Sequence, residues 1–327
     1  MHLDAQQPDE LQDYLRRRGW LDLNEKIMSL EKPGEGNMNY TLRVTTASRT
    51  LIVKQSRSYV EKYPSVAAPA DRAVMEGRFY REVQNVPEVA RRMPQLLDLD
   101  EERNMLVLED LGTASDYTVL YQPGQSLSET DARSLATYLS SLHAHFTSQS
   151  PNPTFANRAM RVLNHEHIFR YPFLEDNGFD LDTVQPGLQE LAMSYKRNAD
   201  LKNTVRRLGE VYLADGTTLL HGDYYPGSWL QTASGVKVID PEFCFYGPAE
   251  FDLGVMMAHL LLAQQPATVP QAVLENYDQP AGFDETLRQR FTGVEIMRRL
   301  IGLAQLPLHL PLDKKQQLLD DAHQMLR

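Results

Sequence analysis

The spacing of apolar residues changes along this chain, and the changes divide it. Pro8 to Trp20 read as a short amphipathic helix ended by Gly19. From Ile27 the pattern shortens. Tyr40–Val44 and Thr50–Lys54 are alternating or continuous apolar runs rich in β-branched residues, which predicts two paired strands joined by the polar turn Thr45–Arg49. Asp71–Gln84 carries Val74, Phe79, Tyr80 and Val83 at helical spacings after a Pro-Ala-Asp start. Gln95–Asp100 and Met105–Glu109 predict a second strand pair, with Glu101–Asn104 as its turn. Beyond Asp110 the period is mostly helical, in segments near 128–148, 187–212, 250–264, 284–305 and 313–326. The exception is a hairpin-like stretch at 219–243. The expectation is an α+β chain. An N-terminal antiparallel β-sheet lobe covers residues 1–110, and a larger, mostly helical lobe covers 111–327.

The exceptional stretch also holds the densest candidate chemistry. It reads His221-Gly-Asp-Tyr-Tyr-Pro-Gly-Ser-Trp-Leu230, followed by Ile239-Asp-Pro-Glu-Phe243. Asp223 and Asp240 therefore flank a short hairpin. Such a layout suits phosphoryl transfer, in which one carboxylate receives the acceptor hydroxyl's proton and another holds the magnesium that bridges the nucleotide phosphates. Asp240 and Glu242, at i and i+2 after an apolar strand, offer hard oxygen ligands of the type magnesium takes. A strand-end capping pair is the bland alternative. His221 reads as a loop-holding residue rather than a base.

The N-terminal part offers a matching nucleotide side. Gly34-Glu-Gly-Asn-Met-Asn39 precedes the first strand, where glycines allow a close backbone approach to phosphates; a plain turn explains them equally well. Lys54 ends an apolar strand and could pair with phosphates, or simply be a solvated strand end. Glu76, or Glu82 on the same helix, could orient it. Glu109-Asp-Leu-Gly112 follows the last strand, where backbone groups could meet an adenine edge or merely form a linker.

Composition narrows the partners. The chain has 327 residues, 42% hydrophobic and 24% charged, with a formal net charge of −11. That balance argues against nucleic acid as the main partner, since backbone phosphates demand clustered Lys and Arg. A single cysteine, Cys244, excludes an internal disulfide and a cysteine-rich metal site. The longest apolar run, around Leu253–Ala263, is interrupted by His259 and is too short for a membrane span. The N-terminal residues show no basic-then-apolar leader pattern, so a cytoplasmic location is the expectation.

These motifs resemble the aminoglycoside phosphotransferase and choline kinase superfamily, which shares the two-lobed fold of protein kinases. The likeness is greatest to the methylthioribose kinase branch. That branch carries His-Gly-Asp-Leu-His-Thr-Gly-Ser and then Asp-Pro-Glu-Phe-Ala-Phe-Tyr-Gly-Pro. Here the second motif is Asp240-Pro-Glu-Phe-Cys-Phe-Tyr-Gly-Pro248. Further matches are Gly36-Asn-Met-Asn-Tyr40, Val53-Lys-Gln55, Asp71-Arg-Ala-Val-Met-Glu76, Glu109-Asp-Leu111 and Glu295-Ile-Met-Arg-Arg-Leu-Ile-Gly-Leu-Ala304.

The resemblance implies an ATP- and Mg2+-dependent kinase acting on a ribose-type sugar or another small alcohol. Gly34, Gly36, Asn37, Asn39, Lys54, Glu76, Glu109, Asp110 and Leu111 would lie on the nucleotide. Asp223 would be the catalytic residue at the acceptor hydroxyl. Asp240, Glu242 and Ser228 would hold magnesium, and Tyr225, Arg298 and Arg299 would join Asp223 around the acceptor. It further implies a homodimer, while the charge balance and the short apolar runs lead us to expect no nucleic acid and no membrane. The loop departs from the branch at Tyr224, Tyr225 and Pro226, beside the acceptor. That leaves open 5-deoxyribose, an aminoglycoside, a choline-like alcohol, or a non-catalytic binding protein on the same scaffold.

Overall fold

The computed structural model describes residues 2–34 and 38–327, so Gly36 and Asn37 of the expected nucleotide loop lie outside the described residues. Two compact units emerge. One comprises Met1–Ala114 with Ile239–Glu242, and the other comprises Ser115–Val238 with Phe243–Arg327. The excursion at Ile239–Glu242 departs from the sequence expectation, which kept all of 111–327 together.

The first unit is built on five antiparallel strands. They are β1 (Ile27–Glu31), β2 (Tyr40–Thr46), β3 (Thr50–Gln55), β6 (Leu96–Asp100) and β7 (Met105–Glu109), in the order β1-β2-β3-β7-β6. A small pair, β4 (Tyr59–Val60) and β5 (Tyr63–Ala67), stands beside them in sequence. The helices are α1 (Pro8–Arg17), α2 (Arg72–Val83) and α3 (Pro87–Ala90). Strand periodicity positions the chemistry here. On β3, Leu51 and Val53 face a core shared with Leu11, Tyr14 and Leu15 of α1. Lys54, one residue out of phase, points to the opposite face, where Glu76 of α2 meets it.

The second unit is mainly helical. Its helices are α4 (Glu129–His145), α5 (Arg158–His165), α6 (Leu188–Lys196), α7 (Ala199–Leu213), α8 (Glu250–Leu262), α9 (Thr268–Glu275), α10 (Glu285–Ile301) and α11 (Leu312–Met325). The segment expected as one helix at 187–212 is two. Asn198 leaves helical geometry and its side chain caps Leu201 N–H at 3.0 Å, starting α7 afresh. Helices α5 and α9 are eight residues each and were not among the expected helical segments.

The expected hairpin is β10 (Trp229–Thr232) with β11 (Gly235–Val238), joined at its edge by the two-residue β8 (Ser115–Asp116). Outside it, β9 (Thr218–Leu220) pairs antiparallel with β12 (Phe245–Gly247), Leu219 opposite Tyr246. The core joins α7, α8, α10 and α11 through residues such as Leu208, Phe251, Phe291 and Leu319. Gly254 allows α8 and α10 to approach closely, since a Cβ there would lie 2.8 Å from Phe291 Cβ. No helix among the described residues is long and apolar enough to cross a membrane.

Candidate active site

In the first unit, Lys54 is the centre of a charged cluster. Its ammonium donates to Glu76 Oε1 at 2.8 Å and to the Asp240 carboxylate. Glu76 is fully buried, whereas the Asp240 side chain is 42% exposed. Burial would drive the Lys54 proton off, but the two carboxylates outweigh it and raise the pKa, so the amine stays charged. The pairing resolves the choice between Glu76 and Glu82 in favour of Glu76.

Asp240 sits at φ +63, in the left-handed region that aspartate tolerates better than most residues. Its backbone N–H donates to Tyr80 Oη at 3.4 Å. Glu242, two residues on, is 5% exposed and accepts a hydrogen bond from Asn39 Nδ2 at 3.0 Å. The Arg72 guanidinium lies 3.5 Å away. Burial dominates at Glu242 and pushes its carboxyl up to about 8, despite Arg72. Arg72 is itself buried and clamps this corner by donating to the carbonyls of Arg57, Pro69, Met38 and Tyr59.

The other expected nucleotide residues lie in the same unit. Gly34 is exposed with open space where a Cβ would stand, so no local steric demand requires glycine there. The Asp110 carboxylate is held bidentately by Arg43 at 2.8 and 3.0 Å, and Arg43 also reaches Gly112 O. The Glu109 carboxylate accepts from Gln95 N–H. Both side chains are committed to the fold. What Glu109–Leu111 could offer a nucleotide is backbone.

The second unit carries Asp223. Its loop is fixed from below by Asp252 of α8, which is fully buried and accepts the backbone N–H groups of His221 (2.6 Å) and Gly222 (2.9 Å). His143 Nε2 stands 3.3 Å from the same carboxylate. His221 Nδ1 accepts the Asp223 N–H at 3.4 Å, and Ser228 Oγ donates to Asp223 O at 2.8 Å. Gly222 has φ +86, and a Cβ there would lie 2.1 Å from Phe243 O. Gly222→Ala is therefore expected to cost about 2–5 kcal/mol through backbone strain and overlap, read as a lower denaturant midpoint.

The Asp223 carboxyl faces the arginine pair of α10. Arg299 Nη2 lies 3.9 Å from Asp223 Oδ1. Burial raises the Asp223 pKa above the ordinary carboxylate value, and Arg299 and Arg298 pull it back only in part. Both arginines are tied to Glu295, one helical turn earlier, at 2.6 Å from Arg299 Nε and 3.0 Å from Arg298 Nη1. Opposing effects act on Glu295: burial would raise its pKa, but the two guanidinium groups and His259 hold it well below the usual range. Tyr225 stacks with its ring centre 5.1 Å from the Arg299 guanidinium and 5.2 Å from the His259 ring. The end of the Tyr225 ring lies over Gly227, where a Cβ would come within 2.4 Å of its hydroxyl.

A model of the phosphotransferase enzyme family (APH) matches residues 29–291, a span that contains Lys54, Asp223, Asp240 and Glu242. The chain belongs to the phosphotransferase enzyme family. It is 28% identical over 270 residues to a methylthioribose kinase of Exiguobacterium sibiricum, covering 78% of this chain and 67% of that one. It is 31% identical over 262 residues to a methylthioribose kinase of Bacillus cereus, covering 76% and 64%. The match thus spans about two thirds of the length of these relatives. Among solved structures, an AMP-bound spectinomycin phosphotransferase has a TM-score of 0.56 at 13% identity, covering 99% of this chain and 98% of that one. LicA in complex with AMP scores 0.55 at 13% identity, covering 98% and 100%. These likenesses establish the α+β, protein-kinase-like fold that the sequence led us to expect.

Within this family member, several residues beside the motifs had no assigned role from sequence. Arg72 and Glu295 stood inside the motifs already noted. His259 was visible only as the polar break in an apolar helix. Asp252 and Tyr121 gave no signal, because their partners are far away in sequence.

Proposed function

We propose that this protein is an ATP-dependent small-molecule kinase that transfers the γ-phosphate to a hydroxyl of a ribose-type sugar, 5-methylthioribose being the first candidate. The observation that carries the reading is the Lys54 ammonium held by both Glu76 and Asp240. A strand lysine paired with a helix glutamate and a second, partly exposed aspartate is the constellation that kinases use to fix nucleotide phosphates. The names and identities of the curated relatives add support for the sugar.

In this reading residues 1–110 form the nucleotide lobe. Lys54 fixes phosphate oxygens, with Asn39, Gly34 and the backbone of Glu109–Leu111 nearby in role. Asp240 and Glu242 would hold magnesium. Their oxygens suit a hard cation, and a divalent ion would relieve the cost of burying Glu242, whose carboxyl is otherwise driven toward protonation. The Asn39 Oδ1 is also buried and accepts no hydrogen bond among the described residues. Magnesium, when bound, neutralises the charge of the transferring phosphoryl group. Ser228 donates its proton to Asp223 O but keeps acceptor lone pairs, so it remains compatible with a ligand role.

In the remainder of the chain, Asp223 orients the acceptor hydroxyl and receives its proton. Its raised pKa makes it a stronger base than a free aspartate. Arg298 and Arg299 meet the oxygens of the acceptor. Guanidinium forks beside Asp223 favour a polyol over a cationic aminoglycoside or choline. Tyr225, where the related branch has histidine, favours comparing 5-deoxyribose and other ribose derivatives alongside methylthioribose. A homodimer and a cytoplasmic location complete the reading.

A coupled ATPase assay with Mg2+ over methylthioribose, 5-deoxyribose, ribose, choline and spectinomycin tests it. Turnover is expected on a ribose-type sugar. Turnover confined to choline or spectinomycin would overturn the sugar assignment, and turnover of none would favour a binding protein. Asp240→Ala should abolish magnesium-dependent ATP binding in calorimetry; retained binding would remove Asp240 from the metal site.

A further inference from the structure

The arginine pair is not free to choose its own geometry. Glu295 Oε1 accepts from Arg299 Nε at 2.6 Å and lies 3.2 Å from Arg298 Nη1, while Oε2 takes Arg298 Nη1 at 3.0 Å. The same Oε1 is 3.1 Å from His259 Nε2, which projects from α8. The other ring nitrogen, Nδ1, is 2.6 Å from Tyr121 Oη. Glu295, His259 and Tyr121 are all buried.

The proton positions follow from chemistry. An ionised Glu295 can only accept, so His259 Nε2 carries the hydrogen. A neutral ring then leaves Nδ1 to accept the Tyr121 hydroxyl. Burial, working against Glu295, lowers the His259 pKa to about 4, consistent with that neutral ring. The cluster of two guanidinium groups, one carboxylate and a neutral imidazole thus carries one net positive charge, and it stands against the single negative charge of Asp223.

We propose that His259 and Tyr121 are positioning residues for acceptor recognition. They hold Glu295 in the one orientation that fixes Arg298 and Arg299 beside Asp223, and so set the subsite for an uncharged, oxygen-rich acceptor. The proposal rests on the reading of that pair as acceptor-binding groups. His259 acts twice, because its ring also supports Tyr225, which stacks on Arg299 from the other side. The chain of contacts runs from Tyr121 through His259 and Glu295 to Arg299 and Asp223. None of its inner members needs to touch the sugar.

The test compares Tyr121→Phe, His259→Leu and His259→Gln in the full chain. Tyr121→Phe removes one hydroxyl, and His259→Leu removes the donor to Glu295. Each lost hydrogen bond should raise KM for the acceptor sugar, by up to about tenfold, with KM for ATP unchanged. His259→Gln retains an N–H at a similar reach and should recover most of the loss. A merely structural role would lower thermal stability without separating the two KM values.

A second readout needs no substrate. In 15N-arginine-labelled protein, the Nε–H signal of Arg299, assigned by its loss in Arg299→Lys, should be sharp and slow to exchange, and should exchange faster in His259→Leu and Tyr121→Phe. If acceptor KM stays at the wild-type value, or the Arg299 signal is unmoved, the proposal is overturned. If the wild type turns over none of the sugars, the kinase reading falls, while the Arg299 signal still decides the positioning claim. If His259→Leu fails to fold, Tyr121→Phe decides alone.

Discussion

Asp223→Asn is expected to lower kcat for the acceptor by about 10²–10⁴-fold, the range for loss of a positioned general base. ATP affinity should not change. The expectation of a clean effect comes from how the loop is built. Asp252 holds the backbone of His221 and Gly222, Ser228 closes the loop on Asp223 O, and His221 accepts the Asp223 N–H. The Asp223 carboxylate takes no part in these bonds. Asparagine is nearly isosteric, keeps one oxygen toward Arg299, and cannot take a proton at neutral pH. Steady-state and single-turnover kinetics separate the outcomes. A loss in kcat with intact binding supports the role, whereas near-wild-type kcat refutes it. A rise in acceptor KM alone would make Asp223 a binding group.

The second large effect is on stability. Lys54→Met strips Glu76, fully buried, of its ammonium partner. Breaking a buried ion pair from one side costs about 3–5 kcal/mol. Asp240 loses the same partner but is partly exposed, so water can replace it. The pH dependence has a definite sign. Burial raises the Glu76 pKa, and Lys54 is the largest opposing influence. Without Lys54 the folded carboxyl holds its proton to higher pH, while the unfolded one loses it near 4.5. Folded protein then binds more protons than unfolded, so stability falls as pH rises through that window. The gap between Lys54→Met and wild type should be small near pH 4 and widen toward neutrality. Adding Glu76→Gln should close much of it. A denaturant series at several pH values reads this directly, and a pH-independent gap would show that Glu76 is not the cause.

Much of the first unit was legible because its determinants are local. Alternation in 40–44 and 50–54 gave the strands, and the phase of Lys54 against Val53 places it on the face away from the core. Glu76 and Glu82 could not be separated by composition. They are six residues apart, which at 3.6 residues per turn puts them well apart around α2, and only the packing of α2 decides which meets Lys54. Asp223, Asp240 and Glu242 were singled out because their motifs are contiguous, and the arginine pair was singled out through the family resemblance. Their supports were not, because those contacts join distant elements: Asp252 to His221, Glu295 to His259, and Arg72 to Glu242. Periodicity reports which face is buried, but it does not say what a buried polar group will meet there. The split at Asn198 was missed for a different reason. One capping side chain starts a new helix where the apolar spacing on either side reads as continuous.

The placement of Ile239–Glu242 with the first unit bears on how the protein can be dissected. The chain crosses between units at 114/115, 238/239 and 242/243, so no single cut releases either one intact. A fragment ending at Ala114 would keep Lys54 and Arg72 but lose Asp240 and Glu242, the carboxylates that face them. A faithful minimal version of the first unit has to carry that tetrapeptide back, by a grafted linker or by adding it as a separate peptide.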